Sequence, residues 1–366
     1  MKILFYGTRE YDKESFNKVI EDYPDVSIEF TKTNLTWRTA ILAKGYDAVC
    51  AFVNANMRDP LTLEILAGFG VKLILMRCAG FDAVNVPMAK DLGIRVCNVP
   101  AYSPEAIAEH AMALGLAANR RIVKGYVRVR ENNYDLNNLV GVTLKGRTAG
   151  IVGTGRIGAA LCRICKGFGM YVIGADLGPA KALVDEGVVD EFVPVYDKQG
   201  NMVYDEKGTC LIEDVSFGNR TVNYDYLYER ADLISLHAFL NSDSYHMINE
   251  ESIAKMKDGV IFINTGRGGL VDTEALIYGI TSGKIGAAGL DVYEEENDNV
   301  YKNRSGEVYE SVTARLTSFP NVVVTSHQAF FTEEALGEIA RVTLQNATAF
   351  AKGAPDSEYV PRSIVC

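Results

Sequence analysis

Histidine is scarce in this chain: His110, His237, His246 and His327 are the only four. Any reaction that needs an imidazole near neutral pH must draw on one of them. Basic residues are outnumbered by acidic ones, 37 against 47, for a formal net charge of −10 and a pI of about 5.1. That balance excludes a general nucleic-acid or anionic-membrane surface. No apolar run reaches the roughly 20 residues that span a bilayer. Residues 1–7 read as a strand entering a loop, too short and too soon charged for a signal peptide. The seven cysteines, Cys50, Cys78, Cys97, Cys162, Cys165, Cys210 and Cys366, are odd in number and scattered, mostly in apolar runs. A disulfide framework is excluded, and a reducing compartment is expected. The chain reads as cytoplasmic, with no nucleic-acid or membrane partner and no metal.

What is present suits two domains. A length of 366 residues exceeds one small core. The 48% hydrophobic and 23% charged content is that of an ordinary globular protein. Short apolar runs at 2–6, 26–30, 48–52, 73–76 and 95–98 alternate with helical spacing, as at 14–22, which implies a parallel sheet covered on both faces. Ser103 and Pro104 then begin a long helix, as N-cap and first helical residue. It is expected to run through Ala106, His110, Leu114 and Ala117 toward Arg128. Later strand-like runs at 233–236, 260–264, 287–292 and 322–324 build a second sheet. The last helix, about 333–351, is expected to return to the first domain. The polar, turn-rich stretch 194–222 breaks this rhythm, and its Gly200-Asn201 and Lys207-Gly208 turns predict a small hairpin.

The most informative stretch is 150–158, Gly-Ile-Val-Gly-Thr-Gly-Arg-Ile-Gly. An apolar strand, 148–152, precedes it. Gly153 allows a tight turn, Gly155 removes any side chain from the path of a pyrophosphate, and Gly158 lets the next helix pack closely. The helix start, with Arg156 and Ile157, offers N–H groups to phosphate. A second apolar run, 171–175, ends at Asp176, whose carboxylate suits a ribose 2′-hydroxyl and repels a 2′-phosphate. The motif in this context predicts a dinucleotide site that favours NAD over NADP. Cys162 and Cys165, inside the following helix, read as small core residues rather than a redox pair.

Reduction of a ketone needs an acid for the new alkoxide. His327 directly follows the strand 322–324, and strand ends are where open α/β sheets bind ligands. His237 also ends a strand and remains a rival. His110 reads as a packed helix histidine, and His246 as structural. A 2-oxo acid further calls for an arginine fork on its carboxylate. Arg267, flanked by glycines just past a strand, fits that need. One of Glu294, Glu295 and Glu296 is placed to orient His327, and the residues alone leave open which.

Six ordered stretches now carry a resemblance: 77–82, 99–110, 153–158, 264–272, 291–296 and 327–330. Together they resemble the D-2-hydroxyacid dehydrogenases, especially the fermentative D-lactate dehydrogenases of bacteria. The resemblance spans nearly the whole chain except 194–222. It implies an α/β fold of two Rossmann-like parallel-sheet domains, one flavodoxin-like and one dinucleotide-binding, separated by a cleft. Residues 1–102 with 329–366 would form the substrate-binding domain and 103–328 the NAD-binding domain. It implies that Arg267 binds the carboxylate and polarises the keto oxygen, that Glu296 is the catalytic glutamate and that His327 is the acid/base. Backbone N–H groups around Cys78, Ala79 and Gly80 would take the substrate carboxylate. Phe52, Tyr102 and Phe330 would line the substrate pocket. Ala238, Phe239, Ser244, Thr265, Gly266 and Asp291 join the glycine motif as cofactor residues, with Asp291 holding the nicotinamide amide. Phe239 stands where the family often has proline. Gly266 and Gly269 replace its commoner serine and alanine, which is expected to loosen the loop.

The resemblance thus implies NADH-dependent reduction of a 2-oxo acid to a D-(R)-2-hydroxy acid, pyruvate to D-lactate first. The alternatives are bulkier oxo acids (phenylpyruvate, indolepyruvate, 2-oxoisocaproate) or a non-catalytic NAD-sensing protein. A homo-oligomer, dimer or tetramer, is expected through the helix from Ser103.

Overall fold

The computed structural model describes residues 1–81, 83–212, 215–294, 296 and 312–366. Asp82 and Glu295, both in stretches quoted above, lie outside the described residues. The chain divides into two compact units, Met1–Ser103 with Phe330–Cys366, and Pro104–Ala329.

In the first unit, β1 (Lys2–Phe5), β2 (Ser27–Phe30), β3 (Ala48–Ala51), β4 (Leu73–Met76) and β5 (Arg95–Cys97) form one parallel sheet in the order β2-β1-β3-β4-β5. Period-two alternation sends Leu4, Val49, Ile74 and Val96 to one face, against Leu63, Leu66 and Ala89. Ile3, Phe5, Cys50 and Leu75 go to the other face, against Phe16 and the Glu333–Ala351 helix. That helix starts on Thr332, whose hydroxyl accepts from Ala335 N. The helical stretch foreseen at 14–22 is instead a helix at Glu10–Asn17 and a 3-10 turn at Ile20–Asp22. Asp12 accepts from Arg9 N at 2.8 Å and sets the earlier start.

The second unit holds β6 (Thr148–Val152), β7 (Tyr171–Ala175), β8 (Glu191–Phe192), β12 (Leu233–Leu236), β13 (Val260–Asn264), β14 (Ile285–Leu290) and β15 (Val322–Val324) in one parallel sheet. Its order is β15-β14-β13-β12-β6-β7-β8. Strand order therefore reverses between β6 and β12, and the carboxyl ends of those two strands flank the switch point where such sheets bind ligands. The Pro104–Asn119 and Arg156–Gly167 helices cover one face through Ala108, Ala111, Leu161 and Cys162. The helix from Pro104 does not continue toward Arg128. It ends at Asn119, and a second helix spans Ile122–Arg130. Arg121 lies between them in the left-handed region at φ 53°. Its guanidinium donates to Ala118 O and, at 3.0 Å, to Gly286 O, closing the helix end.

Within 194–222, β9 (Val195–Asp197), β10 (Met202–Tyr204) and β11 (Arg220–Val222) form an antiparallel sheet in the order β10-β9-β11. The Asp197 carboxylate accepts from Gln199 N and Asn201 N and closes the β9–β10 turn, where Gly200 has φ +86°. The foreseen hairpin is present, with a third strand added.

Candidate active site

The glycine-rich turn is built for a phosphate. Gly153, at the end of β6, has φ +87°, and a Cβ there would meet His237 O at 2.6 Å and Ala238 N at 2.8 Å. The turn is thus pressed against the exit of β12, and Ala238 lines the same switch point. A Cβ on Gly158 would collide with the Gly153 carbonyl, so helix and turn pack backbone to backbone. A Cβ on Gly155 would meet nothing within 4 Å. Open space therefore lies over Gly155, the N-cap of the Arg156–Gly167 helix, where unpaired N–H groups favour an anion. Arg156 is exposed and Ile157 half-buried on its first turn.

Asp176, just past β7, ties this turn to the next. Its Oδ2 accepts from Thr154 N at 2.7 Å and Thr154 Oγ1 at 3.1 Å, and its Oδ1 accepts from Gly178 N at 3.0 Å. Further along the same strand ends, Thr265 Oγ1 is buried without a hydrogen-bond partner among the described residues. Phe239 is 91% exposed, and its carbonyl accepts from Ser244 Oγ at 2.6 Å. An open cradle at Gly155, an acid at β7 and an unsatisfied hydroxyl at Thr265 fit a dinucleotide.

Arg267, Glu296 and His327 all follow carboxyl ends of neighbouring parallel strands, β13, β14 and β15. The Arg267 loop is not loose, despite Gly266 and Gly269. Asn264, 1% exposed at the end of β13, accepts from Gly266 N and donates to Arg267 O, both at 3.0 Å. A Cβ on Gly268 would collide with the Tyr293 backbone, which fixes this loop against the segment leading to Glu296. Arg267 itself donates to Gly266 O at 2.9 Å and has no carboxylate partner among the described residues. His327 Nδ1 lies 3.3 Å from Glu296 Oε1, and Glu296 Oε2 is buried with no partner among the described residues. Glu294 serves elsewhere: it accepts from Thr273 N and Thr273 Oγ1 and lies 2.6 Å from His246 Nε2. Of the two described members of the acidic run, Glu296 thus faces His327 and Glu294 faces Thr273 and His246.

His327 occupies the left-handed region at φ 51°, which non-glycine residues rarely adopt. Asp291 holds it there. The fully buried carboxylate accepts from Thr325 Oγ1 at 2.5 Å and from Gln328 N and Ala329 N at 2.8 Å, and Asp291 O accepts from His327 N. Burial pushes the Asp291 carboxyl up, but the neighbouring His110, Thr325 and two N–H donors outweigh it and leave it below the usual carboxylate range. The resemblance gave Asp291 to the nicotinamide amide; the geometry commits its oxygens to the 325–329 segment. His110 joins the network at 3.1 Å from Thr325 Oγ1 and 3.6 Å from Asp291 Oδ1. His237 Nε2 lies 2.9 Å from Ser235 Oγ, and burial pushes its imidazole down to about 4. Neutral at physiological pH, it is a poor proton donor.

In the first unit, the rings of Phe52 and Tyr102 lie 6.0 and 6.1 Å from that of Phe330, bringing the three aromatic candidates together. Buried Arg77 sits 4.9 Å from the Phe52 ring, 3.2 Å from Asp12 and within hydrogen-bond reach of Tyr6 O and Gly7 O. After β4, the Cys78 thiol donates to Gly80 O, and Ala79 O accepts from Asn98 Nδ2 at 2.7 Å. The N–H groups of Ala79 and Gly80 have no acceptor among the described residues. Sequence reasoning gave no role to Thr154, Asn264 or Arg77, and read Gly268 only as a glycine flanking Arg267. Only Asn264, an amide closing an apolar strand, carries a local signal.

The family model for the NAD-binding domain of D-isomer-specific 2-hydroxyacid dehydrogenases matches residues 112–197 and 201–329. The sequence is 41% identical to D-lactate dehydrogenase of Escherichia coli K12 over 366 residues, covering 100% of each chain. It is 42% identical to 2-hydroxyacid dehydrogenase homolog 1 of Schizosaccharomyces pombe, covering 99% of this chain and 100% of that one. The apo structure of the Escherichia coli D-lactate dehydrogenase superposes with a TM-score of 0.82 at 39% identity, covering 100% of both chains.

Proposed function

The chain belongs to the family of D-isomer-specific 2-hydroxyacid dehydrogenases, and from that premise we propose that it reduces pyruvate to D-lactate with NADH. It is an NAD-dependent 2-hydroxyacid dehydrogenase; the proposal concerns the oxo acid and the part each side chain plays. Bound NADH supplies the hydride. His327 gives the proton to the oxygen of the former ketone, and Glu296 orients the imidazole through Nδ1 and balances its charge when it is protonated. Arg267, with no carboxylate partner among the described residues, pairs with the substrate carboxylate and polarises the keto oxygen. In the first unit, the N–H groups of Ala79 and Gly80, without an acceptor among the described residues, are the backbone donors that the resemblance assigns to the carboxylate. Asp291 and Asn264 act as positioning residues for His327 and Arg267.

The observation that carries this assignment is the 3.3 Å contact of His327 with Glu296 on a backbone held at positive φ. The choice of pyruvate is supported by the packing of Phe52, Tyr102 and Phe330 on one another. Each of Phe52 and Tyr102 meets the Phe330 ring at a steep angle, 54° and 72°, which favours a compact oxo acid over one with an aromatic ring of its own. Steady-state NADH oxidation with a panel of 2-oxo acids tests this. The kcat/KM for pyruvate should exceed that for phenylpyruvate, and the reverse order assigns the enzyme to bulky oxo acids.

A further inference from the structure

The resemblance set 194–222 apart, but the family model matches 194–197 and 201–222 and is interrupted only at 198–200. The segment's own sheet leaves one aromatic ring in an unusual place. Phe217 is 61% exposed, yet its position is fixed. The Arg220 guanidinium lies 4.5 Å from the Phe217 ring centre and 5.1 Å from that of Tyr204. That guanidinium is itself anchored, donating from Nε to Val215 O at 2.8 Å and from Nη1 to Leu177 O at 3.1 Å. The insertion is therefore bolted to the residue directly after Asp176.

The next residue makes the placement specific. Gly178 has no side chain, and a Cβ built on it would meet Phe217 Cζ at 3.1 Å and Arg220 Nη1 at 3.8 Å. The ring of Phe217 stands where a side chain of residue 178 would otherwise project. Gly178 N donates to the same Asp176 carboxylate that binds Thr154 in the phosphate turn. In this type of site, the acid at the second strand end takes the hydroxyls of the adenosine ribose. The adenine attached to that ribose must then lie within a base's width of residues 177 and 178. An exposed aromatic edge-locked at that spot offers a π-face, and the arginine behind it stiffens the platform.

We infer that Phe217, held by Arg220, is a cofactor-binding residue contributed by the 194–222 insertion, and that it packs against the adenine base of NAD. The insertion thus supplies a wall that the residue after Leu177 cannot. The inference rests on NAD binding and not on the identity of the oxo acid.

Fluorescence titration of the full-length enzyme, with no oxo acid present, separates the two. Phe217→Ala should raise the Kd for NADH by roughly 5- to 150-fold, the range of base–aromatic stacking. ADP-ribose, which keeps the adenosine half, should weaken by the same factor. Reduced nicotinamide mononucleotide, which lacks adenosine, should bind the variant and the wild type alike. Phe217→Tyr should restore NADH binding, and the thermal midpoint of both variants should match the wild type. An NADH Kd within about twofold of wild type in Phe217→Ala overturns the inference. So does equal weakening of NADH and reduced nicotinamide mononucleotide, which would place the effect in the fold rather than at the base.

Discussion

Two glycines of one turn should fail in opposite ways when given a methyl group. Gly155 is an N-cap at φ −61° and ψ −165°, where alanine is sterically allowed, and its Cβ would touch no protein atom. Alanine lowers the entropy of the unfolded chain, a gain of about 0.4–1 kcal/mol. It is also a poorer N-cap than glycine, a cost of about the same size. The two terms offset, so the thermal midpoint without nucleotide should stay within roughly 3 °C of wild type. The methyl instead occupies the space through which a phosphate reaches the helix N–H groups. Loss of one hydrogen bond to a charged group is worth about 1.5–3 kcal/mol, or roughly 10- to 150-fold in the Kd for NADH. Gly158→Ala reverses the pattern. Its Cβ would fall inside the van der Waals radius of the Gly153 carbonyl oxygen, and helix and turn must part. Overpacking of that kind costs about 1–3 kcal/mol, a drop of roughly 2–12 °C for a domain of this size. Scanning calorimetry of the nucleotide-free variants, with NADH fluorescence titrations alongside, reads both effects. The reasoning is refuted if Gly155→Ala binds NADH within threefold of wild type, or if Gly158→Ala melts with it.

His327→Ala should lower kcat by about 10²- to 10⁴-fold while the Kd for NADH is retained; near-normal turnover would send the proton donor elsewhere. Asp176→Asn removes the charge and keeps one of the two acceptor oxygens that Thr154 and Gly178 use, so the ratio of kcat/KM for NADPH to that for NADH should rise, and an unchanged ratio would remove Asp176 from cofactor choice. The depressed His237 imidazole binds fewer protons folded than unfolded between its folded value of about 4 and the ordinary 6.5. Stability should therefore fall as pH drops through that window, by as much as about 3 kcal/mol, and His237→Gln should flatten this limb in urea titrations at pH 4–7. Light scattering should find a dimer or tetramer. Ala106, Ile107 and Leu114 are already buried in the single chain, but Ile122, Val123, Tyr126, Leu136 and Val140 remain 56, 53, 61, 76 and 84% exposed. A fully active 40 kDa monomer would rule out the oligomer.

Most strands of the two parallel sheets were legible as short apolar runs, whereas β8 (Glu191–Phe192) is too short and β11 (Arg220–Val222) too polar to show one. The β9–β10 hairpin was legible because Gly200-Asn201 is turn chemistry. The break at Arg121 was not, since the guanidinium that closes the helix reaches Gly286 O, 165 residues away in sequence. Arg77 and Asp12, separated by 65 residues, give no local sign that they brace the ring of Phe52. The choice among Glu294, Glu295 and Glu296 came from a resemblance rather than from physics. In the structure Glu294 turns toward Thr273 and His246 while Glu296 turns toward His327, and Glu295 lies outside the described residues. Asp291 shows the opposite limit. A motif could mark it but could not say that its carboxylate would be fully buried and committed to three donors from residues 325–329.

The first unit's final helix follows the whole of the second unit in sequence, and this has a consequence for how the protein is made. Ile3, Phe5, Cys50 and Leu75 present one face of the five-stranded sheet to Ile339, Val342, Leu344 and Ala347. Asn346 then locks the return, accepting from Val360 N and Ser363 Oγ. On the ribosome, the strands of residues 2–97 emerge long before that cover does. At roughly 5–20 residues per second, the interval is on the order of tens of seconds. During that time the middle unit, continuous in sequence, can fold while the earlier sheet waits with an apolar face uncovered. Nascent chains stalled before residue 330 should therefore bind chaperones and resist native folding of their first hundred residues, however complete those residues are.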